Sequence, residues 1–245
     1  MMLMKPYARY RLSGMTHEDD PRYAVLAPGM EAAAGQQIAP HYVTVPGGRR
    51  VPQYAPTVVG TSIAYDPAAN CDGCFMSYKF QVNNNCYNYS ANIASNSFAQ
   101  PGRMHGYFLT SPPTGPDVVK GAQLDGLVNL GSSTQADLVQ HVRAQGGVGH
   151  YVALLISPGD PSVGWPGDYH WVRCDSTSQF DSWSQKDGGD QVTNFDFAGQ
   201  PIAWPPTADW TVNQGPLIQG NPNDIVIAYT FYCFMYVPAT GVSII

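Results

Sequence analysis

The sequence predicts an α+β fold in which a helix packs on an antiparallel β-sheet. Three observations predict it. A polar turn leads into a small, partly apolar helix near Cys86, two β-branched and aromatic runs at 150–156 and 169–174 flank a turn-rich segment, and a strongly apolar run follows at 225–237. With 245 residues, of which 44% are hydrophobic, the chain is long enough to bury a full core.

The helix is predicted from the spacing of Tyr89, Ile93 and Phe98, which lie roughly one turn and then just over one turn apart. Alanine and serine residues fill the positions between them, so the prediction extends over Ala91–Ala99. The helix is expected to end at Gln100-Pro101-Gly102, because proline cannot continue a helix and glycine tolerates the left-handed conformation that closes one.

The start of this helix is a candidate site for a reactive thiol. One of the residues Asn83, Asn84 or Asn85 is expected to be the N-cap, which places Cys86 in the first turn. The partial positive charge of a helix N-terminus lowers the pKa of a thiol from its usual value of about 8.5 and favours the nucleophilic thiolate. The alternative interpretation is a small, half-buried core cysteine.

A histidine begins the first predicted strand. Gly146-Gly147-Val148-Gly149 precedes His150, and the apolar run Tyr151–Ile156 stops at Ser157-Pro158-Gly159. The glycines before His150 allow another backbone or a substrate to approach closely. A second strand is predicted at Tyr169–Cys174, and the pair is expected to form an antiparallel hairpin.

The register of this hairpin determines which side chain faces the histidine. A loop centred in the middle of the connecting segment places Ile156 opposite Tyr169 and His150 opposite Asp175. Opposed side chains lie about 4.5–5.5 Å apart at Cβ, so Asp175 is predicted to orient the imidazole. A one-residue slip or a bulge would bring His170 to this position instead. The alternative for His170 is a half-buried histidine that is hydrogen-bonded to a backbone carbonyl.

These features together resemble the papain-like superfamily, and most closely its bacterial NlpC-type and CHAP cell-wall hydrolases. Cys86-Tyr87-Asn88-Tyr89 is similar to the Cys-aromatic-x-aromatic start of the papain helix, and Gly149–Leu154 is similar to the Gly-His-Val-Ala strand of the cell-wall enzymes. The resemblance covers about residues 70–175. The Asp-Cys-Ser-Gly signature of NlpC-type enzymes and the Gln-x-Gly-x-Cys-Gly run of papain are absent.

The resemblance implies a papain-like fold with an N-terminal catalytic helix, and a cysteine peptidase or amidase that needs no cofactor. Cys86 would attack an amide carbonyl, while His150 would act as acid and base. Asp175 or His170 would orient the imidazole. The backbone amide of Cys86 and the side chain of Gln81 would hold the oxyanion, unless Gln81 lies in a strand and faces water.

Three classes of function are consistent with this interpretation. The first is an amide hydrolase that acts on a peptide or on peptidoglycan, as a delivered antibacterial effector with an immunity or inhibitor protein as partner. The second is a transferase or deamidase that uses the same thiolate on a host protein. The third is a binding or toxin-accessory protein in which Cys86 and His150 are structural.

The remaining cysteines suggest a metal or a disulfide. Cys71-Asp72-Gly73-Cys74 has the spacing of half a zinc site, but a second half is missing from the sequence. A local disulfide or a pair of thiols is therefore favoured over a metal. The number of cysteines is five, so at least one is unpaired, and a nucleophile at Cys86 would be that one.

Composition and charge exclude several partners. Charged residues make up 12% of the chain and the net charge is −6, with the 12 basic residues dispersed, so nucleic acid is not expected to be a partner. The apolar run at 225–237 has 13 residues, fewer than the ~20 that span a bilayer, and is predicted to be a central strand.

The N-terminal part of the chain differs from the rest. Met1–Leu12 lacks the apolar core of a signal peptide, so the protein is expected to be delivered without a Sec signal or to stay in the cytoplasm. Clusters of proline and glycine interrupt any periodicity up to residue 66. We therefore predict an irregular arm at 1–66 that packs on a catalytic domain at 67–245.

Overall fold

The structure is a computed structural model, and it describes residues 40–60, 73–76, 81–213 and 225–245. Within these residues the fold combines helices with antiparallel sheets. The helices are α1 (Cys86–Ala91), α2 (Gly115–Leu124) and α3 (Gln135–Ala144). The strands are β1 (His41–Thr44), β2 (Arg50–Gln53), β3 (Val58–Val59), β4 (Ile93–Ala94), β5 (Val128–Gly131), β6 (His150–Ser157), β7 (Asp168–Cys174), β8 (Trp183–Lys186), β9 (Val192–Thr193), β10 (Thr211–Asn213), β11 (Val226–Ala228) and β12 (Thr230–Val237).

A six-stranded antiparallel sheet with the order β5-β12-β6-β7-β8-β9 forms the centre of the fold. The predicted hairpin is confirmed, because β6 pairs with β7 and Ile156 lies opposite Tyr169. The prediction for the run at 225–237 is confirmed for Thr230–Val237, since β12 lies inside the sheet between β5 and β6, whereas Val226–Ala228 pairs with β10 in a separate two-stranded sheet.

The two faces of this sheet carry separate cores because successive side chains of a strand point to opposite sides. On one side, which we call the α1 face, Val152, Leu154 and Trp171 pack with Cys86 and Tyr87 of the helix. On the other side, the aromatic face, the core is built mainly from rings. It includes Tyr151, Phe180, Trp183, Trp210, Tyr229 and Phe234.

The backbone before β6 approaches its neighbour closely, as the glycines predict. Gly149 has a φ of +80°, and a Cβ atom at this position would lie 2.6 Å from the carbonyl oxygen of Val237 in β12. By contrast, Gly147 has a φ of +73° but no atom within 4 Å of the corresponding position. Of these two glycines, Gly149 alone combines the left-handed conformation with a steric requirement.

The predicted helix is much shorter than the spacing of its apolar residues indicates. It ends at Ala91, and Asn92 follows in the left-handed conformation with a φ of 56°. The side chain of Asn88 donates to Ile93 O at 3.0 Å and to Ser95 Oγ at 2.7 Å, and it accepts from Ala99 N at 3.0 Å. The prediction of helix over 91–99 is wrong, because these hydrogen bonds fold that segment back along the helix.

The described part of the N-terminal segment packs on the rest of the chain. Strands β1 and β2 form a hairpin, and Val58–Val59 pairs with Ile93–Ala94 directly after α1. Val45 and Val51 share a small apolar cluster with Ile245. The predicted boundary after residue 66 lies outside the described residues. Among the described helices, none has the length and apolar character needed to cross a membrane.

Candidate functional site

The start of α1 is formed by a capping box. Asn85 is the N-cap, and its side-chain oxygen accepts from Tyr87 N at 3.0 Å and Asn88 N at 3.1 Å. The Asn88 side chain in turn accepts from Asn85 N at 3.1 Å. These contacts satisfy three backbone donors at the helix start. The predicted N-cap is thus confirmed as Asn85, and Cys86 occupies the first helical position.

The helix is enclosed on all sides. All six of its residues are buried, and Cys86 is only 5% exposed. The ring of Tyr87 packs 5.4 Å from that of Trp171, and the Tyr89 hydroxyl lies 2.6 Å from Ser184 Oγ. A substrate therefore cannot reach the Cys86 thiol in this conformation without displacing neighbouring residues.

His150 lies on the same face of the sheet as Cys86. It precedes Val152 by two residues, and its Nε2 lies 2.6 Å from the backbone carbonyl oxygen of Ser90 in α1. Since a carbonyl oxygen only accepts, Nε2 carries a proton and donates. Burial lowers the pKa of His150 to about 4, the bond to Ser90 opposes this shift, and the charge of Arg173 adds to it. The ring is therefore neutral at pH 7.

The structure does not join the imidazole to the thiol. Among the described residues, Ser90 O is the hydrogen-bond partner of His150. This carbonyl belongs to the last turn of α1 and points toward the C-terminus of the helix, whereas Cys86 lies in the first turn and its side chain leans the other way. The hydrogen bonds of the described residues thus link His150 to Ser90 O rather than to the Cys86 thiol, and a neutral imidazole forms no ion pair with a thiolate.

Asp175 does not take the position predicted for it. The observed register would place it across from His150 if the ladder continued, but β7 ends at Cys174 and the last pair is Val152 with Arg173. Asp175 Oδ1 instead lies 3.4 Å from the guanidinium of Arg173, which also stacks on the ring of Tyr89 at 4.3 Å. The predicted hydrogen bond between Asp175 and His150 is not made.

His170 lies on the aromatic face, opposite Leu155 in β6, and is fully buried. Its Nε2 is 2.6 Å from Gln185 Oε1, and its ring packs among those of Phe197, Trp210 and Tyr229. The sheet therefore separates it from His150. The alternative that His170 orients the imidazole is not realised, and its Nε2 faces a side-chain amide instead.

Gln81 serves the loops before α1 rather than the thiol. It lies in a short 3-10 turn, Gln81–Asn83, and its side-chain amide donates to Gly189 O at 3.3 Å. Its backbone carbonyl accepts from Lys186 at 2.7 Å. The Nε2 group predicted to hold an oxyanion is thus engaged with a neighbouring loop.

Sequence reasoning did not identify two residues that build this region. Lys186 is fully buried, and its ammonium donates to the carbonyls of Gln81, Asn84 and Gly188. Ser90 contributes only its backbone oxygen. Every residue type has this atom, so the sequence carries no signal for its role. For Lys186, the available signal was its position in the strand Trp183–Lys186 (β8). This strand lies between two other strands, where a charged side chain is unusual.

The described cysteine side chains are buried thiols at positions 86, 174 and 233. Burial raises the pKa of Cys174 far above its usual range and that of Cys233 to about 12. Cys71 and the side chain of Cys74 lie outside the described part of the chain. Within that part, no three side chains of the His, Cys, Asp and Glu types converge as metal ligands.

Comparison with known proteins finds a similar shell matrix protein. The chain is 36% identical over 129 residues to insoluble matrix shell protein 1 of Ruditapes philippinarum, and the match covers 53% of the chain and 72% of the relative. The chain belongs to the family of this shell matrix protein. No family model and no solved structure match it.

Proposed function

We propose that this chain is a structural component of an extracellular matrix. The observation that carries the proposal is the relationship to insoluble matrix shell protein 1, which extends over 72% of that protein. A relative that is named as an insoluble matrix protein favours a location outside the cell and a role in assembly.

The geometry around α1 supports a structural role. Cys86 is 5% exposed, and the imidazole of His150 is neutral and hydrogen-bonded to the backbone of the same helix. Both groups then contribute to packing and to hydrogen bonding of a buried helix end. The low content of charged residues, 12%, also limits the repulsion that keeps globular proteins apart.

Localisation tests this proposal. Extracellular material of the producing organism would be washed and extracted in turn with salt, a chelator and guanidinium chloride, and the chain would be followed with an antibody. We expect it to remain in the insoluble fraction until the denaturant is added. Recovery from washed cells alone, with none in the extracellular material, would exclude the proposal.

A second candidate is a cysteine-dependent amide hydrolase with a papain-like arrangement, acting on peptide or peptidoglycan. The observation that favours it is the tautomer of His150. Because Nε2 donates to Ser90 O, Nδ1 is the basic nitrogen of a neutral ring on the same sheet face as Cys86. After a movement of α1, Nδ1 would accept the thiol proton, and the thiolate would attack the amide carbonyl. The imidazolium would then protonate the departing amine, and water would hydrolyse the resulting thioester.

Thiol labelling distinguishes the two candidates. If Cys86 is a nucleophile, iodoacetamide at pH 6.5 labels it faster than the other four cysteines of the folded chain, and Cys86→Ala abolishes amide cleavage. If Cys86 is structural, it reacts only after unfolding, at a rate similar to that of Cys174. Protection of Cys86 in the native protein would therefore exclude the hydrolase and leave the matrix proposal intact.

A further inference from the structure

We propose that His105, Asp125 and Ser243 form a binding site for a divalent cation of the zinc type. The three residues come from separate parts of the chain. His105 ends the 3-10 turn Arg103–His105, Asp125 is the C-cap of α2, and Ser243 belongs to the segment after β12. The site is independent of the matrix and hydrolase proposals.

The three side chains form a long hydrogen bond and a long ion pair, and both distances also match those between two ligands of one metal ion. His105 Nε2 lies 3.5 Å from Asp125 Oδ1 and 3.3 Å from Ser243 Oγ. Both separations exceed the ~2.7–3.0 Å of a strong hydrogen bond to a charged or hydroxyl group. Two ligands that bind Zn²⁺ at about 2.0–2.1 Å with tetrahedral angles lie about 3.4 Å apart.

The carboxylate of Asp125 is held in position with one oxygen unused. Its Oδ2 accepts from the Tyr87 hydroxyl at 2.8 Å and from Gly102 N at 2.7 Å. Its Oδ1 has no hydrogen-bond partner among the described residues, although Asp125 is only 1% exposed. Buried acceptors are normally paired, so a buried oxygen that is aimed at an imidazole indicates a missing cation.

The surrounding backbone keeps the three residues together. Ser243 N donates to the carbonyl oxygen of Asp125 at 3.0 Å. At the next residue, Gly126, a Cβ atom would lie 2.6 Å from Gly241 O, so the two segments touch there. The side chain of His105 is 38% exposed, which gives an ion access from solvent.

The charge of Asp125 also favours a cation. The guanidinium of Arg103 donates to backbone carbonyls of Ile245, Ser97 and Phe98 rather than to Oδ1. An added cation would therefore stabilise a carboxylate of which only Oδ2 accepts hydrogen bonds from its present neighbours.

An imidazole and a carboxylate together favour zinc-type ions over calcium or magnesium. Among the described residues, this site brings together only two side chains of the usual ligand types, so the Ser243 hydroxyl and water would complete the coordination. Such a site keeps coordination positions open to water, unlike a closed structural zinc site with four protein ligands.

Calorimetric titration of the full chain with Zn²⁺ tests the site. The measurements use a Cys71→Ser, Cys74→Ser background, because these two thiols could bind the same ion. We expect one site, at least about tenfold weaker binding for His105→Gln and for Asp125→Asn, and a smaller loss for Ser243→Ala. His141→Gln is the matched control and should bind as tightly as the parent.

His105→Gln changes a partly exposed side chain, so it should preserve the fold even if Asp125→Asn does not, and circular dichroism checks both. A nitrogen NMR shift of the His105 ring on Zn²⁺ addition is the second expected signature. Binding that is absent in the parent, or unchanged in folded His105→Gln, would overturn the proposal.

Discussion

Individual polar side chains, fully enclosed by the fold, determine the conformation around Cys86. Asn85 caps the helix, Asn88 holds the segment that follows it, and the ammonium of Lys186 binds the carbonyls that precede it. Each polar group is buried at low cost because it finds a partner. Removing one partner leaves the others unsatisfied, which is more costly than the net gain of a single hydrogen bond.

Lys186→Met should lower the free energy of unfolding by about 3 kcal/mol, because two buried carbonyls and one partly buried carbonyl lose their donor. Urea denaturation followed by circular dichroism measures this change. Lys120→Met, which removes an exposed lysine of α2, is the control and should change stability by less than about 0.5 kcal/mol. Equal effects of the two variants would contradict the role of Lys186.

His150 makes stability depend on pH in a defined window. Its pKa is lowered to about 4 in the folded chain, whereas in the unfolded chain it is about 6.5. As the pH falls, the unfolded state therefore protonates this histidine at a higher pH than the folded state does. The stability that the neutral imidazole contributes is complete above pH 6.5 and is lost as the pH falls toward 4. Between pH 7.5 and 4.5, the free energy of unfolding of His150→Asn should fall by about 2–3 kcal/mol less than that of the parent.

Urea denaturation at both pH values measures this difference. The exposed His41 provides the control, because His41→Asn should leave the pH dependence of the parent unchanged. A parallel loss of stability in His150→Asn and the parent would show that the imidazole is not neutral in the folded state.

At the scale of elements, sequence patterns predict those structures that depend on local order. The apolar run Tyr151–Ile156 and the symmetrical loop after it correctly place Ile156 opposite Tyr169. The same register, which pairs His170 with Leu155, assigns His170 to the aromatic face without any slip. One correctly placed pair therefore assigns the face of every other side chain in the hairpin, because the pleat repeats every two residues.

The end of α1 could not be predicted in the same way. Tyr89, Ile93 and Phe98 have helical spacing, yet the chain turns at Asn92 because side-chain amides bind the segment after it. Such competition between side chains and backbone depends on three-dimensional contacts. The orientation of His150 was unpredictable for a related reason, since its partner is a backbone oxygen, that of Ser90.

The junction between β6 and β12 provides a test at this scale. Gly149→Ala should destabilise the fold by at least about 2 kcal/mol more than Gly147→Ala, because both substitutions strain a positive φ but only the first places Cβ 2.6 Å from Val237 O. Thermal or urea unfolding of the two variants gives the comparison. Similar losses would show that backbone conformation alone determines the cost.

At the scale of the whole molecule, one sheet supports two cores. Strands β6, β7 and β12 contribute side chains to both the α1 face and the aromatic face, so neither core can lose its packing while the other keeps its strands. The tryptophans divide between the faces. Trp171 lies on the α1 face, and the aromatic face contains the other four, Trp165, Trp183, Trp204 and Trp210.

Both faces should therefore unfold in a single transition. In the variant Trp171→Phe, fluorescence reports only the aromatic face, and its urea midpoint should coincide with that of far-UV circular dichroism. The unchanged chain serves as the reference for any loss of stability. Two separated midpoints would show that the faces are independent.

The burial of the described thiols has a consequence for the durability of the protein. Oxidants such as peroxide attack the thiolate, and the raised pKa values of Cys174 and Cys233 keep that species scarce while the chain is folded. These sulfurs become reactive only when the sheet opens. Sulfur oxidation at these two positions would therefore record how often a molecule has unfolded during its lifetime, and an intact molecule would age slowly in aerated surroundings.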